Sequence, residues 1–193
     1  MFLILWKAVA LTYAAFYSLT MTVAQVSTAI CEPSFQWMFN SLGQSPCLVA
    51  AYVQGACEPN GQWTMSSLPG PTYGYLGPTL FQANPCTCSS VAYSLSSACG
   101  DCQGADWPLF SEWTSNCSSA DISYSVFPHA IPLGTAIPAW AYGQITTVFD
   151  PNQAQLIMES GAPESTASGA PPATTGISQP PDTITGGNTF FSD

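Results

Sequence analysis

Eight cysteines constrain this chain more than any other feature of its sequence. All of them lie between residues 31 and 117, at Cys31, Cys47, Cys57, Cys86, Cys88, Cys99, Cys102 and Cys117. They follow an apolar N-terminal stretch that is typical of secreted proteins, and in the oxidising secretory route an even number of cysteines indicates disulfides. We therefore predict four disulfides in an extracellular or cell-surface protein. The sequence alone leaves all 105 pairings of eight cysteines open.

The N-terminal stretch, residues 1–24, is predicted to be a secretory signal peptide. It contains one basic residue, Lys7, no acidic residue, and an apolar run that ends in the small residues of Thr22-Val23-Ala24. This order is the pattern of a cleaved leader, and we place the cleavage after Ala24. An uncleaved signal anchor is the alternative, because the apolar run approaches the roughly 20 residues that cross a bilayer.

The charge balance excludes several classes of function. The chain has 193 residues with one Lys or Arg, eleven Asp or Glu and one His. Removal of the leader with Lys7 leaves no Lys or Arg at all. Nucleic-acid binding, Walker-type nucleotide binding and electrostatic attachment to anionic lipid all depend on basic side chains, so we expect none of them.

The expected fold class is mainly α: a small disulfide-rich domain with long irregular loops rich in Gly and Pro. Helices are predicted at 34–42, from the Ser45-Pro46 start signal, from Ser89 or Ser90 to the Cys99 region, and at 108–117. Residues 58–78 read as a loop without regular structure. The β-branched residues of 145–149 predict a strand.

The domain is expected to occupy residues 25–150 and to be followed by a disordered stalk or tail at 151–193. From Ser160 onward the chain is rich in Ser, Thr, Pro and Gly and poor in apolar groups, so it lacks the apolar surface that would favour folding. That composition suits O-glycosylation. A candidate N-glycosylation site is Asn116, in Asn116-Cys117-Ser118. A membrane partner is expected only if the native chain continues into a transmembrane helix.

Two metal or redox interpretations compete with plain disulfides. Cys86-Thr87-Cys88 followed by Cys99-Gly100-Asp101-Cys102 resembles a set of four zinc ligands, but one residue separates the first pair where two to four are usual. The second motif also has the spacing of redox dithiols, whose thiolate needs nearby positive charge, and no base is present. We therefore predict no metal site and no cofactor.

Residues for catalysis are few. The one histidine, His129, is accompanied by no nucleophile motif. Four carboxylates lie close together in the sequence, at Asp101, Asp106, Glu112 and Asp121. A glycoside hydrolase needs two carboxylates at a set separation, so a carboxylate-dependent hydrolase is one alternative function. We expect solvated surface acids and no enzyme.

Aromatic residues are the more suggestive feature for binding. Five tryptophans remain after the leader, and most are expected to pack in the core. The Gly/Pro-rich loop carries Trp63, Tyr73 and Tyr75, which we take as candidate ligand-facing aromatics.

Several motifs resemble a group of cell-surface proteins of mushroom-forming (basidiomycete) fungi. They are Ser41-Leu42-Gly43-Gln44-Ser45-Pro46-Cys47, Gln82-Ala83-Asn84-Pro85-Cys86-Thr87-Cys88, Tyr93-Ser94-Leu95 up to Cys102, Trp113-Thr114-Ser115-Asn116-Cys117 and Ile137-Pro138-Ala139-Trp140-Ala141-Tyr142. The resemblance covers roughly residues 31–150. It implies a signal peptide, a cysteine-rich ectodomain and a Ser/Thr-rich stalk, often followed by a transmembrane helix, and it implies no assigned chemistry.

A weaker similarity connects the cysteine pattern with the eight-cysteine fungal CFEM family, some members of which bind haem through an aspartate. The chain departs from that family before Cys86, where Ala83-Asn84-Pro85 contains no Asp. Haem binding is therefore not carried over.

Together these features predict a secreted or surface-tethered fungal ectodomain that acts as a non-catalytic binding or cell-wall interaction module. Its expected partners are cell-wall polysaccharide or another surface protein. A purely structural surface protein is the second alternative.

Overall fold

A computed structural model describes residues 25–168 as a small, mainly helical domain with little sheet. Four helices, α1 to α4, span Pro46–Gly55, Ser90–Asp101, Phe110–Trp113 and Pro151–Glu159. Two 3-10 helices span Pro33–Met38 and Ala139–Tyr142. Four two-residue strands, β1 to β4, are Val26–Ser27, Thr64–Met65, Ala136–Ile137 and Ser165–Thr166. The predicted leader, 1–24, and residues 169–193 of the predicted tail lie outside the described residues.

The two longest helices begin at the predicted serine caps. Ser45 Oγ accepts a hydrogen bond from the Leu48 N–H at 3.3 Å, and Ser89 Oγ accepts one from the Ala92 N–H at 3.1 Å. Each cap satisfies a backbone donor that the first helical turn leaves without a partner. The start signals at Ser45-Pro46 and Ser89 are thus confirmed.

The predicted four disulfides are present, and two of them connect the ends of α1 and α2. The pairs are Cys31–Cys102, Cys47–Cys99, Cys57–Cys86 and Cys88–Cys117. Cys47 near the start of α1 joins Cys99 near the end of α2, and Cys57 just after α1 joins Cys86 just before α2. The two helices therefore run antiparallel, with a covalent link at each end of the pair.

Helix α2 is the centre of the domain, because every residue from Ser90 to Gly100 is buried. Its Ala and Ser side chains are small and let α1 pack closely against it. Aromatic rings surround this pair: Tyr93 packs against Phe110 and Trp113, with centroids 5.1 and 5.8 Å away. The tyrosine hydroxyl donates to the Pro108 carbonyl at 2.7 Å. The core is therefore a buried helix enclosed by disulfides and aromatic side chains.

The short strands hold distant segments together. Strand β1 pairs in parallel with β2, with Val26 opposite Thr64, and β3 pairs antiparallel with β4, with Ala136 opposite Thr166. The region 58–78, predicted to lack regular structure, therefore contains strand β2. Its residue Met65 is buried, which explains why this one part of the loop is fixed.

The predicted helix at 34–42 is a shorter 3-10 helix, Pro33–Met38. The Phe39 N–H bonds the Gln36 carbonyl three residues back, and the chain then turns at Asn40. Asn40 Oδ1 accepts from the N–H groups of Leu42 and Gln44 at 3.0 and 2.9 Å. Because that side chain provides the turn with its hydrogen bonds, the helix ends early. The fourth predicted helix, 108–117, is likewise reduced to the single turn Phe110–Trp113.

The predicted strand at 145–149 is wrong. Its backbone groups bond to other partners: the Thr147 carbonyl accepts from the Phe110 N–H at 2.9 Å, and the Phe149 N–H donates to the Tyr93 hydroxyl at 3.1 Å. β-Branched residues favour an extended backbone, but a strand forms only where a second strand pairs with it. Ile145 and Phe149 are buried by packing on the helices.

The predicted boundary at residue 150 is placed too early, because regular structure continues through residues 151–168. Asp150 Oδ1 accepts from the Asn152 N–H at 2.9 Å and begins α4. Farther on, the Glu164 carboxylate accepts from the Ser41 N–H at 2.9 Å and from the Ser41 hydroxyl at 2.6 Å. The segment that the composition assigned to a stalk therefore begins as part of the folded domain.

Within residues 25–168, no helix combines the length and the apolarity that a membrane crossing requires.

Candidate binding groove

A groove of about 380 Å³ lies beside strand β2 and contains two of the three candidate aromatics. Its volume is in the range of small-molecule sites. A second depression of about 310 Å³ shares Trp63, Thr64 and Gln82 with it. We call the groove the Trp63 groove. It is lined by Gln54, Trp63, Thr64, Met65, Ser66, Tyr75, Leu76, Gly77, Thr79, Gln82, Ser96 and Trp113.

Trp63 is half-buried and is positioned by the N-terminal segment. Its backbone N–H donates to Gln25 Oε1 at 2.8 Å, and Gln25 Nε2 donates to the Gly61 carbonyl. The pairing of β1 with β2 fixes the next two residues. The other four tryptophans, Trp37, Trp107, Trp113 and Trp140, pack edge-on or tilted against other aromatic rings. Among residues 25–168, Trp63 alone of the tryptophans lacks such a ring neighbour.

Tyr75 contributes a ring and a hydroxyl to the same groove. The hydroxyl donates to the Ser66 carbonyl at 2.6 Å and accepts from Gln103 Nε2 at 3.0 Å. Burial raises the pKa of the Tyr75 phenol, and the hydrogen bond from Gln103 partly opposes that shift. The phenol therefore stays neutral and fixed in direction.

The floor of the groove is polar and buried. Gln54 Nε2 donates to Ser96 Oγ at 3.2 Å and lies 3.4 Å from Met65 Sδ. Both Gln54 and Ser96 are buried. Because an amide also carries an acceptor oxygen, this floor supplies both kinds of hydrogen-bonding atom.

The rim of the groove is held by a close backbone approach and by a side-chain turn. A Cβ atom at Gly77 would overlap the Trp113 carbonyl oxygen, so the position requires glycine. Gln82 Oε1 accepts from the N–H and the hydroxyl of Thr79 at 3.2 and 2.9 Å. Leu76, Leu80 and Phe81 beside this rim are largely exposed.

No lining residue of the groove is charged, although the chain carries eleven acids. The surface combines aromatic faces with amide and hydroxyl groups. Such a surface suits a neutral ligand that has apolar faces and polar edges.

The structure places Tyr73 and Asn116 outside the lining of the groove. Tyr73 is 55% exposed, whereas Trp63 and Tyr75 lie together in the wall. Asn116 is exposed, and its Nδ2 donates to the Pro78 carbonyl at 3.0 Å. A glycan at this nitrogen would leave a single N–H for the contact with Pro78, which precedes Thr79 in the groove rim.

Among residues 25–168, no three of the four candidate carboxylates come together at metal-ligand distance. Glu112 accepts from the Leu109 N–H at 2.9 Å, and Asp121 accepts from the Ser118 hydroxyl at 2.9 Å. Asp106 is exposed, and Asp101 ends α2. His129 is exposed, with Nδ1 3.1 Å from the Ala130 carbonyl oxygen. Glu112 and Asp121 thus each accept a hydrogen bond from a residue three positions earlier in the chain.

The cysteines leave no thiolate for a metal. In the described part of the chain, the one group of three candidate metal ligands is Cys31, Cys47 and Cys102, and each of these sulfurs is in a disulfide. Cys99 and Cys102 pair with partners elsewhere in the chain and not with each other.

A larger depression of about 490 Å³ lies on another face, beside His129 and Tyr142. Part of its wall is residues 165–168, the last that the structure describes. We take the Trp63 groove as the candidate site because it contains Trp63 and Tyr75, two of the three candidate aromatics.

Sequence reasoning missed the groove's polar floor. Gln54 lies on α1, outside every quoted motif, and Ser96 lies on α2, within the segment from Tyr93 to Cys102 that was singled out only for its resemblance. Gln54 gives one available signal, since it is the one side chain of α1 with an amide among small and apolar residues. Ser96 gives none, because α2 contains three other serines.

Comparison with known protein families, curated proteins and solved structures finds no match to this chain. The resemblance to fungal cell-surface proteins therefore stays a prediction from the motifs.

Proposed function

We propose that this chain is a secreted, non-catalytic binding module and that its Trp63 groove binds a neutral cell-wall polysaccharide. The observation that carries the proposal is the placement of Trp63. It stands in the wall of an uncharged groove, opposite no other aromatic ring among the described residues, with Tyr75 beside it.

The chemistry of sugars matches this lining. A pyranose ring has C–H groups on its faces, which pack against aromatic rings, and hydroxyls on its edges, which need donors and acceptors. Gln54, Thr79 and Gln82 bring both kinds of atom to the groove. An acidic polysaccharide is disfavoured, because the protein has a net charge of −10.

Two further features support a secreted, non-catalytic role. Four disulfides are consistent with an oxidising secretory environment. The groove lining includes no carboxylate and no histidine, the groups that glycoside hydrolysis and general base catalysis use. The motif resemblance to fungal surface proteins favours the cell wall as the location of the ligand.

Co-sedimentation with insoluble β-glucan and with chitin tests the proposal. The wild-type protein is expected to bind one of these polymers saturably, and Trp63→Ala to weaken the binding at least about tenfold, since buried aromatic contacts are typical hot spots. Tyr73→Ala is the matched control, because it removes an exposed aromatic ring that does not line the groove. Near-ultraviolet circular dichroism would verify that both variants keep the fold.

The exposed side chains of Leu76, Leu80 and Phe81 favour a second candidate, another surface protein as partner. Binding to neither polymer would overturn the polysaccharide proposal. Equal binding by wild type and Trp63→Ala would also overturn it, because the groove would then have no part in binding. A purely structural surface protein would show neither saturable binding nor sensitivity to Trp63.

A further inference from the structure

Two of the four disulfides lie in contact at the C-terminal end of α2. Cys47 Sγ, which is bonded to Cys99, lies 3.8 Å from Cys102 Sγ, which is bonded to Cys31. The Sγ atoms of Cys31, Cys47 and Cys102 are all within 4.8 Å of one another. Disulfides exchange by attack of a thiolate on a neighbouring sulfur. A thiolate formed at Cys102 would therefore have the sulfur of a second disulfide within contact distance.

The four cysteines differ in exposure. Cys47, Cys99 and Cys102 are fully buried, whereas Cys31 is half-buried between the exposed residues Ile30 and Glu32. Of these four cysteines, Cys31 is therefore the most open to a thiol in solution.

We propose that these two disulfides form a thiol–disulfide exchange site that accepts a low-molecular-weight thiol. The external thiolate attacks Cys31 Sγ, forms a mixed disulfide there, and the electron pair of the broken bond leaves on Cys102 Sγ. The Cys102 thiolate attacks Cys47 Sγ, forms Cys47–Cys102, and releases Cys99 as a thiolate. A second external thiolate displaces Cys31 from the mixed disulfide. In sum, two thiols are oxidised to one external disulfide, and the protein gains the thiols of Cys31 and Cys99.

Gln103 lies where the leaving sulfur needs support. Its Nε2 donates to the Cys99 carbonyl at 2.7 Å and lies 3.5 Å from Cys99 Sγ. An amide N–H beside the sulfur stabilises the thiolate as it leaves. The chain after the leader has no Lys or Arg to add to this effect. Cys99 and Cys102 also lie at the C-terminal end of α2, where the partial negative charge of the helix disfavours a thiolate. The exchange is therefore a slow rearrangement and not rapid redox catalysis.

The exchange would release the N-terminal segment from α2. Cys31 is the covalent link between α2 and the segment that carries β1. Strand β1 pairs with β2, and Gln25 bonds the Trp63 N–H. After exchange, this segment would be held only by non-covalent contacts.

Disulfide mapping of the native protein tests the exchange. The protein is incubated with reduced glutathione, quenched with acid at successive times, alkylated at low pH and digested with pepsin, because a chain without Lys and Arg offers trypsin no site. We expect peptides linked through Cys47–Cys102 and alkylation at Cys31 and Cys99, while Cys57–Cys86 and Cys88–Cys117 stay intact. Alkylation at Cys31 and Cys102 with Cys47–Cys99 unchanged at every time would overturn the proposal.

A variant provides an independent readout. Cys31→Ser leaves Cys102 as a free thiol. Without any added thiol, we expect a mixture of molecules in which the free thiol is at Cys102 and molecules in which it is at Cys99. Adding Gln103→Leu should slow that redistribution severalfold. A free thiol that stays entirely on Cys102 would contradict the proposal. Because the readout is peptide mass alone, the result is independent of any ligand of the groove.

Discussion

Asp101 is a carboxylate at an unfavourable position, the last residue of α2. The C-terminal end of a helix carries partial negative charge, which disfavours an anion there. Burial raises the pKa of Asp101. Since its folded-state pKa is above its unfolded-state value of 3.8, the ionised side chain destabilises the fold at neutral pH. The effect disappears as the pH falls through the folded-state pKa and below 3.8.

The variant Asp101→Asn should therefore have a higher free energy of unfolding than wild type at pH 7, by up to about 1 kcal/mol from the helix-end effect. Its midpoint of unfolding should accordingly lie at a higher urea concentration. The difference should vanish near pH 3, where Asp101 is protonated in both states. Asp106→Asn is the matched control, because it makes the same charge change at an exposed site. A stabilisation that is equal at both pH values would contradict this account.

At the scale of elements, α4 shows how a helix forms where composition suggests disorder. Pro151 occupies its first turn, Asp150 caps it, and Gly161 follows its end with φ of +70°. Its inward side chains, including Ala154, pack on the two 3-10 helices.

Removal of the cap by Asp150→Ala should lower the free energy of unfolding by about 1 kcal/mol. Amide hydrogen exchange should quicken across Pro151–Glu159 more than across α1. The control Asn152→Ala changes an exposed side chain of the same helix without removing the cap. Unchanged exchange in α4 after Asp150→Ala would show that packing alone holds the helix.

A helix or strand could be predicted where the residues that start or stabilise it are close together in the sequence. The caps at Ser45 and Ser89 are local signals, so α1 and α2 could be predicted. Asp150-Pro151 is a signal of the same kind, but it precedes a stretch whose composition suggested disorder. The prediction of a strand at 145–149 failed because a strand requires a partner from elsewhere in the chain, and no segment of residues 25–168 pairs with it.

The groove depends even more on long-range structure. Trp63 and Tyr75 were identifiable as candidates from the loop that carries them. Gln54 and Ser96 reach the floor only because the disulfides set α1 beside α2. Their place in the groove could not be predicted from their positions in the sequence.

At the scale of the whole molecule, disulfides provide part of the stability that a large hydrophobic core provides in other proteins. Disulfides that close loops of 52 and 29 residues hold the ends of α1 and α2 together. In the chain-entropy model, each contributes on the order of 3–4 kcal/mol by restricting the unfolded chain. None of the acids in residues 25–168 is fully buried, and Asp101 is partly buried, so charge stays outside the core. The result is a rigid support for an uncharged groove on an acidic protein.

The most direct test of this account is an NMR titration of ¹⁵N-labelled protein with soluble neutral β-glucan and chitin oligosaccharides. The account predicts saturable shifts of the Trp63 indole N–H and of the side-chain amides of Gln54 and Gln82, with little change around His129 and Tyr142. Shifts centred on the His129 face, or no shift at saturating oligosaccharide, would contradict the claim that the Trp63 groove is the binding site.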